Sequence, residues 1–169
     1  QGERQVLAAA WFPDGESLLV ASHEPGGGTD LLRLDPRTGR LDPLVVGSRA
    51  RGGSGFVNQN AQFTADGRFI LFDSDRTGVY HLYAYDLASR EIFQVARSLT
   101  GLFDPTVVRT ESGPRIVAME YTARGYRLSL LPYAPDQWER VEGLPRALGT
   151  SEPSAALAQS APAELRREG

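Results

Sequence analysis

Three stretches of this chain repeat one order of elements, and a repeat of that length restricts the fold more than any single residue does. The first reads "AAWFPDGESLLVASHEPGGGTDLLRLDPRTGRLDPLV" and the second "NAQFTADGRFILFDSDRTGVYHLYAYDLASREIFQVA". The third reads "FDPTVVRTESGPRIVAMEYTARGYRLSLLPYAPDQWERV". Their turn glycines, Gly15, Gly67 and Gly113, recur at intervals of roughly 50 residues, close to the length of a four-stranded propeller blade. The first interval is the longer because it holds "GSRARGGSGFVN", Gly47 to Asn58, which reads as a loop inserted between units.

Each part of the unit has a physical reason. Asp14-Gly15 and Asp66-Gly67 are hairpin signals, because glycine accepts the positive φ of a tight turn and aspartate tolerates it. An unbroken apolar run follows each turn: Leu18 to Ala21, Phe69 to Phe72, and Ile116 to Met119. A half-exposed strand would alternate, whereas a strand covered on both faces need not. "PGGGTD", "DRTG" and "TARG" then lead into the further strands "LLRLD", "VYHLYAYD" and "YRLSLLPY". "DPRTGR" and "DLASRE" supply one more turn before an outer strand. Four strands joined by three tight turns make an antiparallel meander, repeated because a lone sheet cannot bury its faces. No segment keeps an i, i+3, i+4, i+7 stripe over three turns, which excludes a helical bundle.

The expected fold is therefore all-β: a β-propeller of about three four-stranded antiparallel blades forming a partial ring. The blades fall at about residues 5–47, 58–99 and 102–142, inside a propeller segment of residues 1–142. Residues 143–169 are rich in Ala, Pro and Ser and read as a linker or disordered tail. Three blades do not close a ring, since propellers use four to eight. The remaining blades are expected from the parent chain, and the first and last sheets are expected to present apolar faces to water.

These residues resemble TolB-like β-propeller repeats, whose pattern is W-S-P-D-G-(K/R)-x-I-A-F-x-S-(D/x)-R-x-G-x-x-x-(I/L)-Y-x-x-(D/N). The first unit matches at Trp11, Pro13, Asp14 and Gly15. The second matches at Asp66, Gly67, Arg68, Ile70, Phe72, Ser74, Asp75, Arg76, Gly78, Leu82, Tyr83 and Asp86. The third departs, with Ser112 in the Asp place and one extra residue, though Ile116, Gly125, Tyr126 and Leu128 are kept. "LTGLFDPTV" followed by "MEYTARGYRLSLLPY" also resembles the last propeller blade of large bacterial envelope proteins that continue into an outer-membrane β-barrel. The resemblance implies a non-enzymatic protein-interaction scaffold, periplasmic or otherwise in the cell envelope, with a protein partner. A second class of protein carries such a ring, the prolyl-oligopeptidase type of serine peptidase, in which the propeller gates substrate. A carbohydrate-active or lyase propeller is a third and weaker reading.

Composition excludes several chemistries. The net charge of −3 gives no electrostatic case for nucleic acid. All 18 basic residues are arginine, scattered along the chain rather than clustered. The absence of cysteine removes disulfides, thiol nucleophiles and thiolate metal sites. No apolar run approaches the ~20 residues of a membrane-spanning helix, so no direct membrane insertion is expected. The chain opens on Gln1 without a signal peptide, which reads as a fragment or a processed product.

A search for catalytic, cofactor and metal sites returns none, and the binding residues stay open. There is no G-x-S-x-G elbow, and no histidine follows His81. His23 and His81 lie on different units, and "HEPGG" lacks the second histidine of H-E-x-x-H. The glycine clusters lack the Lys-Ser/Thr of a P-loop and read as hairpin and inter-blade loops. Asp73, Asp75 and Asp104 have the chemistry to act as acid and base or to ligate calcium, but turn and loop hydrogen bonds account for them better. Tyr80, Tyr83, Tyr85, Tyr121, Tyr126, Tyr133 and Trp138 are assigned mainly to strand packing, with a protein interface as the alternative.

Overall fold

The computed structural model describes residues 5–23, 27–47 and 55–141 of the chain, which fold into three antiparallel sheets. The first sheet holds β1 (Gln5–Trp11), β2 (Leu18–His23), β3 (Thr29–Leu34) and β4 (Leu41–Val45) in sequence order. The second holds β5 (Asn58–Phe63), β6 (Phe69–Ser74), β7 (His81–Asp86) and β8 (Ile92–Ala96), again in order. The third holds β9 (Leu102–Thr110), β10 (Gly113–Thr122) and β11 (Gly125–Pro132). After a short 3-10 turn at Pro135–Gln137, β12 (Glu139–Arg140) pairs with β8. The all-β meander expected from the repeat is what forms.

The turns work as the sequence suggests. Gly15 and Gly67 take φ of 71° and 68°, a region in which a Cβ would be strained. Asp14 accepts the Glu16 N–H and Asp66 accepts the Arg68 N–H, so each carboxylate closes its own turn. Asp86 does the same for the N–H groups of Ala88 and Ser89, and its other oxygen holds Arg68 at 3.1 Å.

The second sheet is covered on both faces, which explains its unbroken apolar runs. Every residue of β6 is buried, and in β7 only His81 is partly exposed. Successive side chains point to opposite faces. Ile70, Phe72, Tyr83 and Tyr85 thus join Phe12, Leu19, Leu31 and Val45 of the first sheet in one core. Phe69, Leu71, Leu82 and Ala84 join Leu102, Ile116 and Ala118 of the third sheet in another. Each large side chain so buried is worth about 1.5–3 kcal/mol, and the two cores together fix the stacking order of the sheets.

The third sheet corrects one expectation: it has three strands, not four, and the second has five. Pro132 and Pro135 interrupt the chain where the outer strand would turn back. Trp138 then seats edge-on against Phe69 at 5.0 Å and Tyr133 at 5.5 Å, drawing the chain over the second sheet. The Val141 N–H donates to the Ile92 carbonyl at 2.8 Å, and Arg140 and Glu139 pair with Glu91 and Arg97.

The long loop between units lies largely outside the described residues, but its two ends are pinched together. Phe56 N–H donates to the Gly47 carbonyl and Thr29 N–H to the Phe56 carbonyl. A Cβ on Gly28 would lie 2.1 Å from the Gly47 oxygen, and one on Gly47 would lie 2.3 Å from the Phe56 oxygen. Close backbone approach is what Gly28 and Gly47 serve here. "PGGGTD" begins among residues outside the described set, and so does the tail from residue 142 onward.

Candidate functional site

The first strand of each sheet is an edge strand, and each carries a bulge. In β1 the register to β2 slips between Val6 and Ala8, in β5 between Gln59 and Gln62, and in β9 between Phe103 and Thr106. A bulge inserts one residue, kinks the strand and re-aims a side chain. In β5 and β9 it also forces a non-glycine residue left-handed, Asn60 at φ 52° and Asp104 at φ 53°. Asn and Asp tolerate that region better than other side chains. Both residues are exposed, and Gln59 and Gln62 flank them half-buried.

Beneath this polar row sits Asp73, fully buried on β6. Its Oδ1 accepts the Asn60 side-chain amide at 2.9 Å and the Asp104 backbone N–H at 3.0 Å. Its Oδ2 is buried with no hydrogen-bond partner. Burial pushes the Asp73 carboxyl up to about 6, against the opposing pull of those donors, and the nearby Asp104 charge adds to the rise. Gln62 reaches Asp104 at a long 3.4 Å. One carboxylate therefore ties the bulge of the second sheet to the bulge of the third.

A second buried polar junction joins the second sheet to the first. Arg76 donates from Nη2 to Asn58 Oδ1 at 2.9 Å and from Nε to Ser74 Oγ at 3.2 Å. Its guanidinium lies over Tyr83 at 4.4 Å, Phe56 at 5.1 Å and Phe72 at 5.4 Å. Asn58 in turn donates to the Thr29 carbonyl of β3 at 2.8 Å. Burial lowers Arg76 to about 10, so it stays protonated at neutral pH, helped by the Asp75 charge.

The structure separates the three aspartates that the sequence grouped. Asp73 and Asp104 meet, whereas Asp75 turns away and accepts the Val57 N–H at 2.7 Å. Among the described residues no three His, Cys, Asp or Glu side chains cluster to hold a metal ion. The histidines serve local bonds: His23 Nδ1 lies 3.3 Å from Thr29 Oγ1, and His81 Nδ1 accepts the Ser98 N–H at 3.4 Å. Burial lowers the His81 pKa, and the nearby Arg97 charge acts in the same sense.

The aromatics divide. Tyr83 and Tyr85 belong to the first core, with the Tyr83 hydroxyl accepting from Gln94 at 3.2 Å. Tyr133 and Trp138 pack against the second. Tyr121 and Tyr126 stand on the outer face of the third sheet with Met119, Leu128 and Leu130, all of them exposed. Tyr80 and Phe103 continue that aromatic row, with ring centroids 5.0 Å apart. Sequence reasoning named Asp104 but missed Asn60 and Gln62, which join it in the polar row. Its signal was Asp73 itself, a charge at the end of an otherwise apolar run, "FILFDS".

No protein-family model and no curated protein matches the chain. Solved structures do match it in shape. TolB from Acinetobacter baumannii superposes with a TM-score of 0.56 at 22% identity, over 73% of this chain and 29% of that one. A protein assigned as TolB from Agrobacterium tumefaciens superposes with a TM-score of 0.57 at 22% identity, over 79% of this chain and 49% of that one. The fold is thus that of TolB propeller blades, and this chain spans less than half the length of either structure. Among the described residues no helix is long and apolar enough to cross a membrane, a statement that does not bear on β-barrels.

Proposed function

We propose that this chain is part of a β-propeller that acts as a non-enzymatic protein-interaction scaffold in a bacterial cell envelope, and that the periplasm is its compartment. The observation that carries the reading is the bulged row in which Asn60 and Asp104 are exposed and Gln62 half-buried, on the edges where the second and third sheets meet. A rigid set of stacked sheets that turns short polar side chains outward from its converging edges is suited to display, not to turnover. The TolB-like fold supports the same reading, since the partner and compartment proposed here are those the sequence resemblance implies.

The scaffold needs further sheets. Sheets one and three each cover one face of sheet two with an apolar core. The outer face of sheet three repeats that apolar pattern and stands open among the described residues, so the proposed occupant is a further blade of a longer parent chain. The DNA flanking the coding segment tests this directly. More units with the Asp-Gly turn and apolar run are expected upstream or downstream. A following α/β-hydrolase domain with G-x-S-x-G would overturn the scaffold reading and make this the gating half of a peptidase. A second test replaces Asn60 and Asp104 with arginine in the full parent protein. Loss of partner binding with an unchanged β-sheet circular dichroism spectrum is expected, and unchanged binding would remove the polar row from the function.

A further inference from the structure

The bulges of β5 and β9 each hold one residue in left-handed backbone, Asn60 at φ 52° and Asp104 at φ 53°. Asp104 is the more strained of the two, because Pro105 follows it and a residue before proline is pushed toward extended backbone. Such conformations persist only where the surroundings hold them. One buried oxygen holds both: Asp73 Oδ1 accepts the Asn60 side-chain amide at 2.9 Å and the Asp104 N–H at 3.0 Å.

Little around Asp73 offsets its charge. From β5, the amides of Gln59 and Asn60 favour the ionised form, and from β9 the Asp104 carboxylate opposes it. Tyr80, ahead of β7, is raised by burial and by the Asp75 and Asp73 charges, so it stays neutral. Asp75 is taken by the Val57 N–H, Arg76 by Asn58 and Ser74, and His81 by the Ser98 N–H. Among the described residues no cation bonds Asp73, and its Oδ2 is buried without a partner. A proton therefore settles on Oδ2 and leaves both bonds to Oδ1 in place.

We propose that Asp73 is a proton-operated latch between the second and third sheets: with its proton on, it holds the two bulges together, and with the proton off, it lets them part. The direction follows from burial. In the closed junction burial raises the carboxyl to about 6, and opening returns it to water and toward its ordinary 3.8. The closed form binds the proton more tightly, so its advantage is complete below pH 3.8 and is lost as pH rises through about 6. Between pH 5 and pH 7.5 the ratio of open to closed junction is expected to rise roughly tenfold. On opening, Asp104 is free to return to the extended backbone that Pro105 favours, and the polar row loses its fixed shape. What this means for a partner rests on the scaffold reading above; the latch itself does not.

Nuclear magnetic resonance of the whole 169-residue chain, titrated from mildly acidic to mildly alkaline pH, tests the latch with no partner present. The Asp104 backbone amide and the Asn60 side-chain amide are expected to shift together, with one midpoint near 6. Protection of the Asp104 amide from exchange, corrected for its intrinsic rate, is expected to fall about tenfold between pH 5 and pH 7.5. The Asn58 side-chain amide, bonded to Thr29 at the other junction, is the control and is expected to stay constant. Asp73→Asn keeps an oxygen for both donors and is expected to abolish the transition, which separates it from any titration of His81. Asp104→Asn keeps the backbone donor but removes the neighbouring charge, and is expected to lower the midpoint. A transition near pH 6 that survives Asp73→Asn would overturn the latch. So would separate midpoints for the two amides, protection that ignores pH, or an unmoved midpoint in Asp104→Asn. None of these results would bear on the scaffold reading, which is tested by partner binding.

Discussion

Asp73→Asn is expected to stabilise the chain at neutral pH, an unusual direction for a change at a fully buried, hydrogen-bonded position. The carboxyl is raised from 3.8 to about 6, chiefly by burial. At roughly 1.4 kcal/mol per unit, holding it ionised in the folded state costs at most about 3 kcal/mol. The sign follows from proton linkage. A carboxyl raised on folding binds protons more tightly folded than unfolded, so its stabilising contribution is complete below pH 3.8 and is lost as pH rises through about 6. An asparagine oxygen keeps the bonds from the Asn60 amide and the Asp104 N–H. Its NH2 then occupies the place of the unpartnered Oδ2, at a cost of about 1 kcal/mol for an unmet donor. The net expectation is a gain of about 1–2 kcal/mol at pH 7 that vanishes or reverses by about pH 4. Urea unfolding of both proteins from pH 4 to 8 reads it as a difference. Asp35, Asp66 and Glu120, whose pKa values are lowered by their hydrogen bonds, add slopes of opposite sign that cancel in the comparison. Equal pH slopes for the two proteins, or an asparagine variant less stable at pH 7, would refute the argument.

Two further substitutions probe the elements that organise the sheets. Gly47→Ala places a Cβ 2.3 Å from one backbone oxygen and 2.4 Å from another, and thermal unfolding is expected to show a loss of about 2–4 kcal/mol; a loss under 1 kcal/mol would mean the pinched loop relaxes freely. Trp138→Ala removes the anchor that draws β12 onto the second sheet, at a cost of about 2–4 kcal/mol, and hydrogen exchange at the Val141 amide is expected to lose its protection while β6 amides keep theirs.

The sequence carried the sheets because the apolar runs and Asp-Gly turns are local signals. Phe69 to Phe72 could only be a strand covered on both faces, and the structure buries all four. The fate of the last strand was not local. "WERV" has the same strand character whether it pairs with β11 or β8, and the choice rests on Trp138 meeting Phe69, two residues far apart in the chain. The polar row was hidden for a similar reason. A bulge leaves little trace in composition, and Asn60 and Asp104 read as ordinary turn-forming residues until both are seen donating to one carboxylate oxygen.

That shared oxygen says something about how stacked sheets find their register. Apolar faces slide over one another at little cost, because hydrophobic contact is non-directional; directional bonds select one offset. The second sheet has one such anchor toward each neighbour, Arg76 through Asn58 to Thr29 on one side and Asp73 to Asp104 on the other. The two side chains lie three residues apart on and just after β6, carry opposite charge, and bond across different interfaces. Arg76 tolerates burial because three aromatic faces lie within 5.4 Å of its guanidinium. Each anchor leaves one buried polar atom without a hydrogen-bond partner, Arg76 Nη1 and Asp73 Oδ2, but Asp73, raised to about 6 by burial, is held ionised at a cost at neutral pH, so the junction between the second and third sheets is expected to be the weaker of the two there. Local opening is therefore expected to begin at Asn60 and Asp104, the edge residues through which the scaffold is proposed to meet its partner.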